Sequence, residues 1–162
     1  MSAEIQISPD EHLKSVSLPS PVLGGLAGVI ALLAAALSYW VVGDQVPGLL
    51  CSAADLFACL SAFLMGNTFR LRDIRSRAGF VARQNGQDPI TTLSILPPQH
   101  IVVARMRVAR LGLLASICML VGAFLTIAFT QESARSIAAI AILGLVAATI
   151  CYLCGMWSRP ID

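Results

Sequence analysis

Four long apolar stretches, separated by shorter polar segments, dominate the pattern of this chain of 162 residues. They cover residues 21–42, 46–69, 108–129 and 137–157. Each has about the 20 residues that a helix needs to cross roughly 30 Å of hydrocarbon. A backbone in lipid must satisfy its own hydrogen bonds, and these stretches are continuous and not alternating. We therefore expect transmembrane helices and not β-strands.

The polar segments between these stretches predict how the helices pair. Residues 43–45 and 130–136 are short enough for tight turns, whereas residues 70–107 form a longer connection. The predicted fold class is an all-α integral membrane protein whose four transmembrane helices form two antiparallel hairpins, joined by a basic, partly helical cytoplasmic segment. The predicted divisions are a flexible cytoplasmic N-terminal tail (1–20), hairpin one (21–69), the connector (70–107), hairpin two (108–157) and a cytoplasmic C-terminal tail (158–162).

The connector carries signals of local helical structure. Apolar residues at helical spacing predict that the second helix continues past the bilayer as an amphipathic extension. Asn85-Gly86 predicts the end of that extension, and residues 88–96 predict a short helix. Pro97-Pro98 predicts a break, after which the third helix begins. The apolar positions of the extension are Leu71, Ile74, Ala78 and Val81.

Composition supports lipid as the solvent of this chain. Apolar residues make up 57% of the chain and charged residues only 12%, against about a quarter charged in soluble domains. A water-soluble domain of this size keeps much of its surface wet, so it could not bury this much apolar surface. The polar start of the chain lacks the basic region of a secretory signal. The five cysteines are an odd number and do not indicate a secreted disulfide framework.

The basic residues are distributed asymmetrically. Ten of the eleven fall on one side of the four-span topology and only Arg135 on the other. The positive-inside rule then places both termini and the connector in the cytoplasm. Anionic lipid head groups are the expected partner of this basic patch, with an acidic cytoplasmic protein as the alternative. No nucleic acid is expected, because no aromatic residues are interleaved with the arginines. The patch consists of Arg70, Arg72, Arg75, Arg77, Arg83, Arg105, Arg107 and Arg110.

Small residues recur at steps of three or four positions on every predicted helix. Such stripes let helix backbones approach closely in lipid, where burying apolar area does not drive association. We interpret them as the faces that hold the four helices together. The alternative is that one of them docks a separate subunit or a second copy of the chain. The helix-packing positions are Gly24, Gly28, Ala62, Gly66, Gly112, Gly122, Gly144 and Ala148.

Asp55 is the candidate polar residue inside the membrane. It lies about one third of the way along the second helix, where a charged carboxylate costs about 2.5–3.5 kcal/mol on insertion scales. Three interpretations are open. It is a neutral, hydrogen-bonded structural carboxyl, it pairs with a basic residue of a partner subunit, or it is a proton or cation site in a transport path. The hydroxyl groups available for the first interpretation belong to Ser38, Tyr39, Ser52 and Thr126.

The cysteines allow thiol chemistry but do not require it. Cys151 and Cys154 form a C-x-x-C in the fourth helix, whereas Cys51 and Cys59 share a face of the second. We place the two pairs toward opposite sides of the membrane, so that thiol–disulfide exchange between them is not expected. Buried cysteine usually acts as a small apolar residue, and we interpret all four in this way. Redox chemistry at Cys151 and Cys154 is the alternative.

The sequence contains no set of residues typical of an enzyme or a cofactor site. His12 and His100 are the only histidines and lie outside the apolar stretches, which excludes a bis-histidine haem within the bundle. No Ser/His/Asp set, glycine-rich phosphate loop or zinc-protease motif occurs. We therefore expect no cofactor, no metal and no catalytic residues.

Function follows by elimination from these observations. The first hypothesis is a non-enzymatic structural or accessory subunit of a multi-protein complex of the bacterial inner membrane, of secretion, conjugation or respiratory type. The second is a small oligomeric transporter or channel, coupled to protons or cations, that uses Asp55. A membrane thiol redox protein is the third.

Overall fold

The computed structural model describes residues 20–42, 46–86, 98–130 and 134–158, and it is helical throughout these segments apart from the residues at helix ends. Its helices are α1 (Ser20–Val42), α2 (Val46–Gln84), α3 (Gln99–Thr130) and α4 (Ala134–Trp157). All four are long and apolar enough to cross a membrane. The prediction of four such helices at these positions is confirmed, and it indicates a multi-pass membrane protein.

Helix α2 is one continuous helix that is longer than a bilayer requires. Its 39 residues extend about 58 Å at 1.5 Å per residue, against roughly 30 Å of hydrocarbon. It ends at Gln84, and Gly86 has a φ of 65°, a left-handed conformation that glycine adopts at helix ends without steric cost. The predicted continuation of this helix and its end at Asn85-Gly86 are both confirmed.

The buried face of this extension differs from the predicted one at its far end. Leu71 is buried as expected and Ile74 and Ala78 are partly buried, but Val81 is exposed and Ala82 is buried in its place. Three turns of an α-helix take about 10.8 residues. The residue aligned with Leu71 is therefore eleven positions away, and the predicted spacing of ten was wrong by one residue.

Helix α2 lies at the centre of the arrangement. It packs against each of the other three helices, and α4 packs against both α1 and α2, whereas α3 and α4 make little direct contact in the described part of the chain. The predicted pair of hairpins is thus not confirmed, because the second pair scarcely packs together. A short link brings two helices close, but in lipid only complementary faces hold them together.

The contacts also give the relative directions of the helices. Asp55 meets Gly144, and Gly66 meets the backbone of Tyr152. Since both numbers increase together, α2 and α4 run parallel. Ser61 meets Gly112 and Leu50 meets Gly122, so α2 and α3 run antiparallel.

Two apolar clusters occupy the interior. The larger joins α1, α2 and α4 and includes Ala27, Cys59, Phe63, Ala147 and Cys151. The smaller joins α2, α3 and α4 through Cys51, Ala123 and Ile140. The buried positions are mostly small, as expected where helix backbones approach closely in lipid.

Three predicted features lie outside the described residues. They are the tail that precedes residue 20, the short helix at residues 88–96 and the chain after residue 158. The same holds for the turn at residues 43–45 and for residues 131–133 of the second predicted turn.

Candidate functional site

The candidate site centres on Asp55, which α2 places between α1 and α4. Its side chain is 2% exposed and accepts a hydrogen bond from the hydroxyl of Ser38 on α1, which is itself fully buried. Of the four hydroxyl groups that the sequence offered, the structure brings this one to the carboxylate. Thr126 instead donates to the backbone oxygen of Ala123.

Gly144 of α4 forms the third side of this site. A Cβ atom built on Gly144 would stand 3.1 Å from the carboxylate carbon of Asp55 and would overlap the oxygen Oδ1. Only a residue without a side chain leaves room for the carboxylate at this position. The sequence predicted Gly144 as a helix-packing residue, and the group packed against it is the candidate polar residue itself.

A close approach of two backbones lies at the other end of the α2–α4 contact. Gly66 and Gly155 face the opposite helix reciprocally: a Cβ on Gly66 would overlap the backbone oxygen of Tyr152, and one on Gly155 would overlap that of Phe63. This is the small-residue packing that holds helices together in lipid. It requires glycine at both positions.

A group of polar contacts closes the same end of the bundle. The Asn67 side-chain amide donates to the Ser158 hydroxyl at 2.8 Å, and that hydroxyl donates to the Gly155 backbone oxygen at 2.8 Å. Arg70 donates to the backbone oxygen of Met156 at 2.7 Å. Sequence reasoning missed Asn67 and Ser158. The available signal was that Asn67 is the only amide side chain within residues 46–69.

The other small-residue positions differ in how closely they pack. A Cβ on Gly112 would overlap the hydroxyl oxygen of Ser61 and stand 3.3 Å from its Cβ, whereas a Cβ on Gly122 would stand 3.8 Å from Leu50. Gly24 has only Phe63 at 3.9 Å, and Gly28 has no atom within 4 Å. Helix α1 therefore packs less closely through its glycines than α4 does. Ala62 is buried and Ala148 partly buried.

The cysteines are arranged differently from the prediction. Cys59 and Cys151 belong to one apolar cluster, and the Cys151 thiol lies 3.6 Å from the backbone oxygen of Ala27. The inference that the two cysteine pairs lie apart is wrong for these two residues. Because α2 and α4 are parallel and in register, Cys59 and Cys151 lie at the same depth. Cys154 is 5% exposed in the same cluster.

The arginines of the basic patch occupy several different environments. Arg77 forms an exposed ion pair with Asp73 at 2.9 Å, one turn away on α2. Arg83 is exposed near the end of α2, and Arg105 is partly buried on α3. Arg70 contacts the backbone oxygen of Met156. The other four line one groove between α2 and α3, and they are Arg72, Arg75, Arg107 and Arg110.

Within the described segments, no group of three or more histidine, cysteine, aspartate or glutamate side chains is placed to hold a metal ion. The chemistry available at Asp55 is therefore that of one carboxyl with one hydroxyl partner. No family model, no curated protein and no solved structure matches the chain significantly.

Proposed function

We propose that this chain is a non-enzymatic accessory subunit of a larger protein complex in the bacterial inner membrane, with both termini and the α2–α3 connection on the cytoplasmic side. The positive-inside rule supports this orientation, because the basic patch lies where α2 ends and α3 begins. Only three residues separate α1 from α2 and α3 from α4 on the opposite side. Neither connection there is long enough to carry a domain.

The observation that carries the proposal is the use of polar side chains inside the bundle. In the described part of the chain, every buried side-chain nitrogen and oxygen has a hydrogen-bond partner. Asp55 accepts a hydrogen bond from Ser38, and Asn67 donates one to Ser158. These contacts link one helix to another or to the chain end, so the polar groups hold the helices together. A protein built this way fits a structural role within a complex.

The surface of α3 leaves room for partner helices. This helix packs mainly on α2, and its outward side chains include Leu111, Leu114, Ile117 and Phe124, each at least half exposed. Lipid covers such a face in an isolated chain, and the small residues of a partner helix would cover it within a complex.

One experiment tests this proposal directly. The tagged protein is extracted from its native membrane in a mild detergent, separated on a native gel and analysed by mass spectrometry. We expect a discrete species larger than the chain with its detergent, containing defined partner proteins in constant ratio. Recovery of the chain alone, across several mild detergents and after chemical cross-linking in the membrane, would contradict the proposal.

A transporter built around Asp55 is the second candidate, and the burial of its carboxyl between three helices is the observation that favours it. The variant Asp55→Asn separates the two functions. The asparagine side chain has nearly the same shape as the aspartate side chain, and its amide oxygen still accepts a hydrogen bond from Ser38. An accessory subunit would stay in its complex, because the contact between Asp55 and Ser38 is kept. A transporter would assemble normally and lose proton-coupled flux in proteoliposomes.

A further inference from the structure

An open groove lies between the extensions of α2 and α3 beyond the predicted spans. Its volume is about 540 Å³, within the range of pockets that hold small ligands. Arg72 and Arg75 line it from α2, and Arg107 and Arg110 line it from α3. We call this feature the arginine groove.

The charge of the arginine groove has one sign. None of the described residues that line it is acidic. The only acidic side chain on the α2 extension, Asp73, is held by Arg77 on the surface. Four guanidinium groups on two facing walls match an anion, and their planar donor pairs suit phosphate oxygens in particular.

The floor of the groove is apolar. Val102 and Met106 line it and are only 4% and 7% exposed. A small inorganic anion gains nothing from such a floor, whereas the carbon atoms of a phospholipid head group gain apolar contact there.

The position of the groove also favours an amphiphile. Arg72 lies one helical turn beyond Phe69, where the second predicted span ends, and Arg110 lies in the first turn of the third, which begins at Val108. The groove therefore opens at the level of the lipid head groups if the helices span a bilayer.

We infer that the arginine groove binds the head group of an anionic phospholipid, and that a head group with two phosphates fits it better than one with a single phosphate. The phosphates lie between the arginines of α2 and those of α3, and the carbon atoms that join the two phosphates lie on Val102 and Met106. This inference depends on the four helices spanning a membrane. It does not depend on a partner subunit, so the accessory role and the lipid site can fail separately.

Native mass spectrometry of the full chain in a neutral detergent measures the lipid that is retained. The probes are cardiolipin with two phosphates, phosphatidylglycerol with one, and zwitterionic phosphatidylcholine. We expect the order cardiolipin, phosphatidylglycerol, phosphatidylcholine. The double variant Arg72→Gln with Arg107→Gln should weaken cardiolipin binding about 30-fold, from the usual contribution of an arginine near anionic lipid.

The matched control is Arg77→Gln with Arg83→Gln, which removes the same charge from the extension of α2 but outside the groove. It should weaken binding about threefold or less. Equal losses in the two double variants would mean that net charge alone attracts the lipid, and the inference would be wrong.

Two further measurements complete the test. The variant Arg72→Lys with Arg107→Lys keeps the charge but not the paired donors. Its affinity for cardiolipin should therefore fall between those of the unaltered chain and the glutamine variant. If the glutamine variant does not fold, the lysine variant takes its place in the test. Inorganic pyrophosphate binding as tightly as cardiolipin would overturn the lipid assignment in favour of a soluble phosphate ligand. A chain that retains cardiolipin selectively but has no partner proteins would contradict only the accessory role.

Discussion

Replacing Gly66 with alanine tests whether close backbone contact holds α2 to α4. A Cβ at this position would stand 2.9 Å from the nitrogen of Met156 and 3.2 Å from the carbonyl carbon of Tyr152, against 3.4–4 Å for ordinary contacts. Backbone atoms cannot rotate away as a flexible side chain would. The two helices must therefore separate by about 0.5 Å or more at this crossing.

The expected cost follows from three contributions. Overpacking a closely packed interface costs about 1–3 kcal/mol. Weakening the adjacent hydrogen bond between Asn67 and Ser158 costs up to about 1 kcal/mol. The higher helix propensity of alanine relative to glycine offsets this cost by about 1 kcal/mol. We expect Gly66→Ala to lower the free energy of unfolding by about 2 kcal/mol.

The assay is unfolding by SDS titration in mixed micelles, followed by the loss of helical circular dichroism. Gly28→Ala is the matched control, because Gly28 is also a helical glycine but is only partly buried and has no atom within 4 Å of an added Cβ. It should leave stability unchanged or raise it by up to about 1 kcal/mol.

The reasoning is refuted if Gly66→Ala is as stable as Gly28→Ala. Gly155→Ala provides an internal check, since the reciprocal contact lies on the other helix. Combined with Gly66→Ala, it should cost less than the sum of the two single changes, because the first change has already moved the helices apart.

Two other predictions use the same purified protein. Ser38→Ala removes the donor to the buried carboxyl of Asp55 and should lower the free energy of unfolding by about 1–3 kcal/mol. The control Ser52→Ala, at a partly buried position, should change it by less than about 0.5 kcal/mol. Similar losses of stability in both variants would contradict a specific role for Ser38. In a chain that keeps only Cys59 and Cys151, mercuric ion should bridge the two thiols and block maleimide labelling after denaturation, because both cysteines are buried in one cluster between α2 and α4. A control chain that keeps Cys151 and the exposed Cys118 should still be labelled by maleimide. Equal protection of the two chains from labelling would contradict the proximity of Cys59 on α2 to Cys151 on α4.

The candidate site was only partly predictable from the sequence. The cost of a carboxylate in lipid identified Asp55 from its position alone, and Gly144 was assigned to a packing face. The choice of Ser38 from four hydroxyl groups required the packed helices, as did the contact between Asn67 and Ser158. A stripe of small residues shows which face of a helix is buried but does not say which neighbour covers it.

The sequence by itself determined the helices of this protein. Length and apolar character decide what crosses a bilayer, because a backbone in lipid has to satisfy its hydrogen bonds within one segment. The continuation of α2 and its end at Asn85-Gly86 were local signals of the same kind. Only the tertiary structure decided that α4 packs against α2 and scarcely touches α3, and that Cys59 and Cys151 therefore lie in one cluster. The physical reason is that lipid gives no apolar driving force between helices, so pairing depends on how small faces on separate helices fit together and not on which helices are neighbours in the chain.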